Sequence, residues 1–126
     1  MFSHAMVGCN DIAVAKRFYG SVMQAIGIPV TFQSDDFIAF GKPDQSLFWA
    51  TRPINDEPAT AGNGSMVAFL AATREIVDAA HAAAMANGGS DEGIPGLRPD
   101  YHENYYGAYF RDPEGNKICV VCHAPI

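Results

Sequence analysis

Apolar residues fall at Ile12, Ala15, Phe18, Tyr19, Val22, Met23 and Ile26. Steps of three and four keep them on one helical stripe for about four turns. Cys9-Asn10-Asp11 supplies capping side chains ahead of the stripe, and Gly27 behind it can take the positive φ that closes a helix. The pattern predicts a helix near 11–26. Ile76, Val77, Ala80, Ala84 and Met85 form a second stripe, which predicts a Thr73-capped helix near 73–87. Its many alanines allow close approach to a sheet. Shorter apolar runs bounded by turn residues predict strands at 2–9, 28–34, 37–41 and 47–51, then at 65–71, 105–111 and 117–123. Residues 90–99, dominated by Gly, Pro and acids, offer at most a short strand.

The order of elements repeats. Asp11 and Thr73 open the helices, Gly27 and Gly89 end them, and His4 and Met66 precede them on strands, each pair 62 positions apart. The turns Pro43-Asp44-Gln45 and Pro113-Glu114-Gly115 stand 70 apart. The second half thus carries about eight extra residues, placed in the Pro/Gly-rich stretch Gly93 to Glu103. The expected fold is α+β: two tandem βαβββ units, about 1–52 and about 65–126, joined by a polar linker at about 53–64 within one domain. Both helices should lie on one side of curved antiparallel sheets that surround a cleft.

Composition narrows the class. A chain of 126 residues can bury a full core without metals or disulfides. The net charge of −6 argues against a nucleic-acid or anionic-membrane surface, and no apolar run is long enough to span a bilayer. The N-terminus shows neither a basic segment nor a cleavage pattern, so no signal peptide is expected. Three cysteines inside apolar segments suit a reducing cytoplasm. Cys119-Val120-Val121-Cys122 has CxxC spacing, but residues three apart on a strand face opposite ways, so neither a redox pair nor a zinc clip is expected.

The doubled βαβββ order, His4-Ala5-Met6-Val7 leading into Asn10-Asp11, and the run from Tyr106 through Asp112-Pro113-Glu114-Gly115-Asn116 to Ile118 carry a family resemblance. The chain resembles the vicinal oxygen chelate superfamily of glyoxalases, bleomycin-resistance proteins and extradiol dioxygenases. The Asp-Pro-Glu-Gly-Asn turn is the most specific piece of that likeness. It implies a cleft-bearing sheet, often completed across a homodimer, with a divalent metal held by the first and last strands of each unit. Carried over position by position, His4 matches a ligand. Met66 stands where a His is usual, Cys119 where a Glu is usual, and the fourth position falls to Phe48 or Trp49. A hard divalent ion needs carboxylates or imidazoles, and one of the four positions supplies either. The expectation is therefore no cofactor, with a divalent metal (Zn, Ni, Fe or Mn) as the alternative should His102 or a Tyr phenolate stand in.

Candidate chemistry centres on few residues. His4 reads either as a ligand or general base, and so as the candidate catalytic residue, or as a histidine left over at a sheet surface. Strand alternation puts His4, Met6 and Gly8 on one face, matched by Met66, Ala68 and Leu70 and by Cys119 and Val121. Tyr101, His102, Tyr105, Tyr106 and Tyr109 form the densest aromatic and polar cluster, beside the insertion, where a loop could close over a ligand. The expected ligand-binding set is His4, Trp49, Met66, Tyr101, His102, Tyr105, Tyr106, Tyr109 and Cys119. His81 and His123 read as surface or interface residues. Three functions stay open: metal-free binding of a small organic molecule in an apolar cleft, a metal-dependent lyase or dioxygenase of the glyoxalase type, and a non-catalytic structural or partner-binding dimer.

Overall fold

The computed structural model describes residues 1–126. The first unit runs β1 (His4–Gly8), α1 (Ile12–Ile26), β2 (Val30–Gln33), β3 (Phe37–Phe40) and β4 (Leu47–Thr51). The second runs β5 (Val67–Leu70), α2 (Arg74–Ala86), β6 (Ser90–Leu97), β7 (Tyr106–Arg111) and β8 (Lys117–Cys122). The helices begin where capping chemistry places them. The Asp11 carboxylate accepts from the N–H groups of Ala13 and Val14, and the Thr73 hydroxyl from that of Ile76. Gly27 closes α1 at φ 91°, its N–H returning to the Met23 carbonyl. No helix is long and apolar enough to cross a membrane.

Each unit forms a four-stranded sheet, in the orders β1-β4-β3-β2 and β5-β8-β7-β6. These sheets are mixed rather than purely antiparallel as expected. Each helix carries the chain from the first strand to the far edge, and two reversals then bring the fourth strand back parallel to the first. The segment 90–99 also departs from expectation, because β6 is eight residues long. Two register shifts, between Asp91 and Gly93 and between Gly93 and Gly96, let an edge strand accommodate two glycines and a proline.

One core serves both units. Phe18 of α1 packs edge-on against Phe110 of β7 with ring centroids 5.9 Å apart, and Phe48 of β4 meets Phe69 of β5 at 5.0 Å. Burying each such ring contributes roughly 1.5–3 kcal/mol. The Asp-Pro-Glu-Gly-Asn turn adds a polar brace between the units. Buried Asp112 accepts from the Tyr19 hydroxyl of α1 at 2.5 Å, and from the Glu114 and Asn116 N–H groups and the Asn116 amide at 2.9 Å each. Asn116 also donates to the Gly8 carbonyl at the end of β1. Glu114 accepts from the Asn10 N–H and side-chain amide at 2.7 and 2.8 Å, just ahead of α1. The motif that carries the family likeness therefore has a structural task, fastening the second unit to the first.

Candidate functional site

The strand register decides which side chains share a face. Met6 lies beside Trp49 in the β1–β4 pair, and Ala68 beside Cys119 in the β5–β8 pair. The offsets of 62 and 70 relate these pairs, so Trp49, not Phe48, is the counterpart of Cys119. Phe48 points into the core and is buried against Tyr19 and Phe69. His4, Met6, Trp49, Phe37 and Phe32 thus form the outer face of the first sheet. Met66 (just ahead of β5), Ala68, Leu70, Cys119, Val121 and Tyr109 form that of the second.

The two faces differ in chemistry. On the first, Trp49 lies between Phe32, stacked at 5.9 Å, and Phe37, tilted at 5.0 Å. Met6 and Phe32 remain more than half exposed. His4 is exposed, its Nδ1 2.9 Å from the Ser3 hydroxyl. On the second face, the segment between β6 and β7 folds back over the sheet. The Arg98 N–H bonds the Tyr105 carbonyl, and Tyr105 packs against Tyr101, His102 and His123 with centroids 4.9–5.6 Å apart. The Tyr105 hydroxyl reaches that of Tyr109 at 2.8 Å and the Cys119 thiol at 3.7 Å. Cys119 is completely buried beneath it.

Burial pushes the Cys119 thiol up, with hydrogen bonds from Tyr105 and Tyr109 working against the rise. Burial also raises Tyr105 and Tyr109. At neutral pH this trio is therefore protonated, a set of hydrogen-bond donors and acceptors rather than anionic ligands. His102 has both ring nitrogens engaged. Nδ1 accepts from the Asn104 N–H, so Nε2 carries the proton toward His123 Nδ1, 2.8 Å away.

Not every expected site residue belongs to these faces. Tyr106 does not. Its odd–even position turns it to the helix side, where its hydroxyl donates to Asp78 of α2 at 2.7 Å and Arg74 lies over its ring. His81 is not a surface residue, since its ring is largely buried and bonds Asp91 of β6 at 2.9 Å. His123, set aside from the sequence, joins the Tyr105 cluster. The available signal was the alternation Cys119, Val121, His123 along the last strand. Lys117, not singled out either, sits on the same face at the start of that strand. The two cysteines of the CxxC sequence face opposite ways: Cys119 meets Tyr105, whereas Cys122 points to the Ala72 carbonyl.

Cavities lie along the seam between β1 and β5. One of about 190 Å³ is bordered by Met6, Met66, Thr60, Ser65 and Lys117. At the other end, one of about 600 Å³ is apolar, bordered by Phe2, Leu47, Phe48, Phe69 and Leu70 among others. Of the four equivalent positions His4, Trp49, Met66 and Cys119, only Met66 borders a principal cavity.

A divalent metal at those positions does not fit this chain. No three His, Cys, Asp or Glu side chains converge anywhere in it. Trp49 offers an indole, and Cys119 offers a buried thiol that already meets the Tyr105 hydroxyl. The substitutes weighed from the sequence fit no better, because the Tyr105 and Tyr109 hydroxyls are bonded to each other and His102 is tied to His123 and the backbone.

A doubled βαβββ fold with a shared core and outward-facing sheets defines a recognisable class of protein. The glyoxalase/bleomycin resistance protein/dioxygenase superfamily model matches residues 1–120, and the chain belongs to that superfamily. It is similar to a glyoxalase/bleomycin resistance protein from Albidiferax ferrireducens, at 44% identity over 99% of both chains with a TM-score of 0.88. A family enzyme from Burkholderia phytofirmans shares the fold at 22% identity and TM-score 0.72, over 97% of this chain and 98% of that one. A lactoylglutathione lyase from Agrobacterium tumefaciens does so at 20% identity and TM-score 0.63, over 97% and 92%. No curated protein matches the chain.

Proposed function

We propose that this protein binds a small organic molecule on its outward sheet faces and does so without the divalent metal that the family commonly uses. One observation carries the reading. The four positions related by the repeat offsets, with Trp49 chosen over Phe48 by strand register, hold one imidazole, one indole, one thioether and one buried thiol. That set disfavours a hard cation and favours an apolar body, with a few hydroxyls to orient it, as small-molecule sites generally do. Trp49 with Phe32 and Met6 supplies the apolar platform. Tyr105 and Tyr109 supply hydroxyls, and His4 supplies an exposed imidazole on the face of Met6 and Trp49. No observation favours the metal-dependent lyase or dioxygenase reading over this one.

We further propose that two copies associate. The support is apolar surface on the outer faces, with Met6, Phe32 and Leu70 exposed by 56%, 52% and 70%. Light scattering should give twice the 13.5 kDa chain mass, and a monomer at micromolar concentration would contradict it.

Trp49 is the sole tryptophan, so its emission reports on the platform directly. A panel of uncharged and charged aromatic and aliphatic compounds should include members that shift it saturably, with equal affinity in the presence of EDTA. Binding that EDTA abolishes and added zinc or nickel restores would overturn the metal-free reading.

A further inference from the structure

We propose that the groove between β1 and β5 receives the anionic end of the bound molecule, with Lys117 as its counter-charge, so that the ligand is an organic carboxylate with an apolar body. The proposal rests on the reading above and specifies the ligand class for the same faces.

Three cations lie on the outward face of the second sheet, and two are engaged. Arg98 donates both terminal nitrogens to the Gly96 and Ile94 carbonyls. Arg111 pairs with Glu92 at 2.8 Å and donates to the Gly115 carbonyl. Lys117 is the third. Its register partner across the β7–β8 pair is Arg111, which fixes its face, and its ammonium lies 5.8 Å from the Tyr109 ring centroid. It is half-buried and takes part in none of the chain's three ion pairs, although the chain has 14 carboxylates for 8 Lys and Arg. An ammonium in no ion pair, with an aromatic ring for company, retains much of its capacity for an anion.

The groove beside it suits a carboxylate. The Thr60 and Ser65 hydroxyls border it, and neither has a hydrogen-bond partner within the chain. Together with the ammonium they provide donors for two oxygens. A volume of about 190 Å³ admits a carboxylate and a short stem, and one point charge matches a monoanion better than a polyphosphate. Met6 and Met66 wall the groove with thioethers, and Met6 is also the register neighbour of Trp49. A head group at Lys117 therefore directs its apolar body across Met6 onto the Trp49 platform. The chain's net charge of −6 does not attract anions at long range, so selection depends on this local cation.

The test uses the whole chain, Trp49 emission and calorimetry, with octanoate and phenylpropionate as probes and their primary amides as uncharged controls. The carboxylates should bind about tenfold tighter than the amides, the scale of one charge-assisted hydrogen bond. Lys117→Met should remove that preference, with a circular dichroism spectrum matching wild type to show that the variant is folded. Lys117→Arg should restore most of it. Equal affinity for acid and amide in the wild type overturns the proposal alone, as does unchanged carboxylate affinity in Lys117→Met. If neither acids nor amides perturb Trp49, the proposal falls together with the platform that it depends on.

Discussion

The two units share one topology and one set of strand registers, yet they treat their outward faces in opposite ways. The first leaves Trp49, Phe32 and Met6 open, a platform with one exposed histidine at its edge. The second closes its face with its own chain, setting Tyr105 over Cys119 and binding the covering segment through His102 and His123. Their equivalent turns diverge as well. Lys42-Pro43-Asp44-Gln45 lies exposed in solvent, whereas Asp112 through Asn116 is the brace between units. A duplicated framework thus keeps its periodic core positions, which packing fixes, while loops and outward-facing positions are free to acquire separate tasks.

The largest test of this contrast sets the two turns against each other. Asp112→Ala leaves the Tyr19 hydroxyl, two backbone N–H groups and the Asn116 amide without their acceptor. Urea melts should show a loss of about 3–5 kcal/mol. Lys42→Ala, at the equivalent exposed place, should stay within about 0.5 kcal/mol. Similar losses in both would mean that the turns are equivalent after all.

Next in size is the cover itself. Tyr105→Ala should cost about 2 kcal/mol, less than a fully buried aromatic, because Tyr105 is half-buried. It should also expose Cys119, so that the native protein gains one alkylatable thiol by mass spectrometry. Phe32→Ala, on the open face, should cost about 1 kcal/mol and expose no thiol. A Tyr105→Ala protein whose thiols all remain protected would show that something other than Tyr105 shields Cys119.

The smallest effect is alkaline. Cys9, where β1 turns toward α1, has its thiol raised to about 11, first by burial and then by the Glu114 and Asp112 carboxylates of the brace. The folded chain keeps a proton there that the unfolded chain releases near 9. Stability attributable to Cys9 is therefore complete below about 9 and declines as the pH rises toward about 11. Replacing Cys9 by Ala should flatten that decline relative to wild type in melts across the window. An unchanged slope would place the alkaline sensitivity elsewhere.

Much of the fold was legible because its signals are local and agree with one another. The stripes through Phe18 and Val77, the caps at Asp11 and Thr73, and the constant offset between halves all specify the same two units. The length of β6 was hidden, since bulges at Gly93 and Gly96 break the period by which strands are recognised. Phe48 and Trp49 could not be separated by counting across unequal loops, and only the pairing of Met6 with Trp49 settles which one faces outward. The site was less legible. His123 follows from Cys119 by simple alternation, and Tyr106 falls opposite Tyr109 by the odd–even count along its own strand. The folding of the segment before Tyr105 over the sheet is tertiary and leaves no periodic trace. Lys117 gains meaning only once Arg98 and Arg111 are seen to be engaged.

The metal-free reading proposed for this chain holds that His4, Trp49, Met66 and Cys119 do not serve together as metal ligands. A calorimetric titration of the wild-type protein with zinc and with nickel at micromolar concentrations, after removal of bound ions, addresses it most directly. Neither ion should give saturable heat, and wild type and His4→Ala should not differ. Stoichiometric binding that His4→Ala abolishes would contradict it.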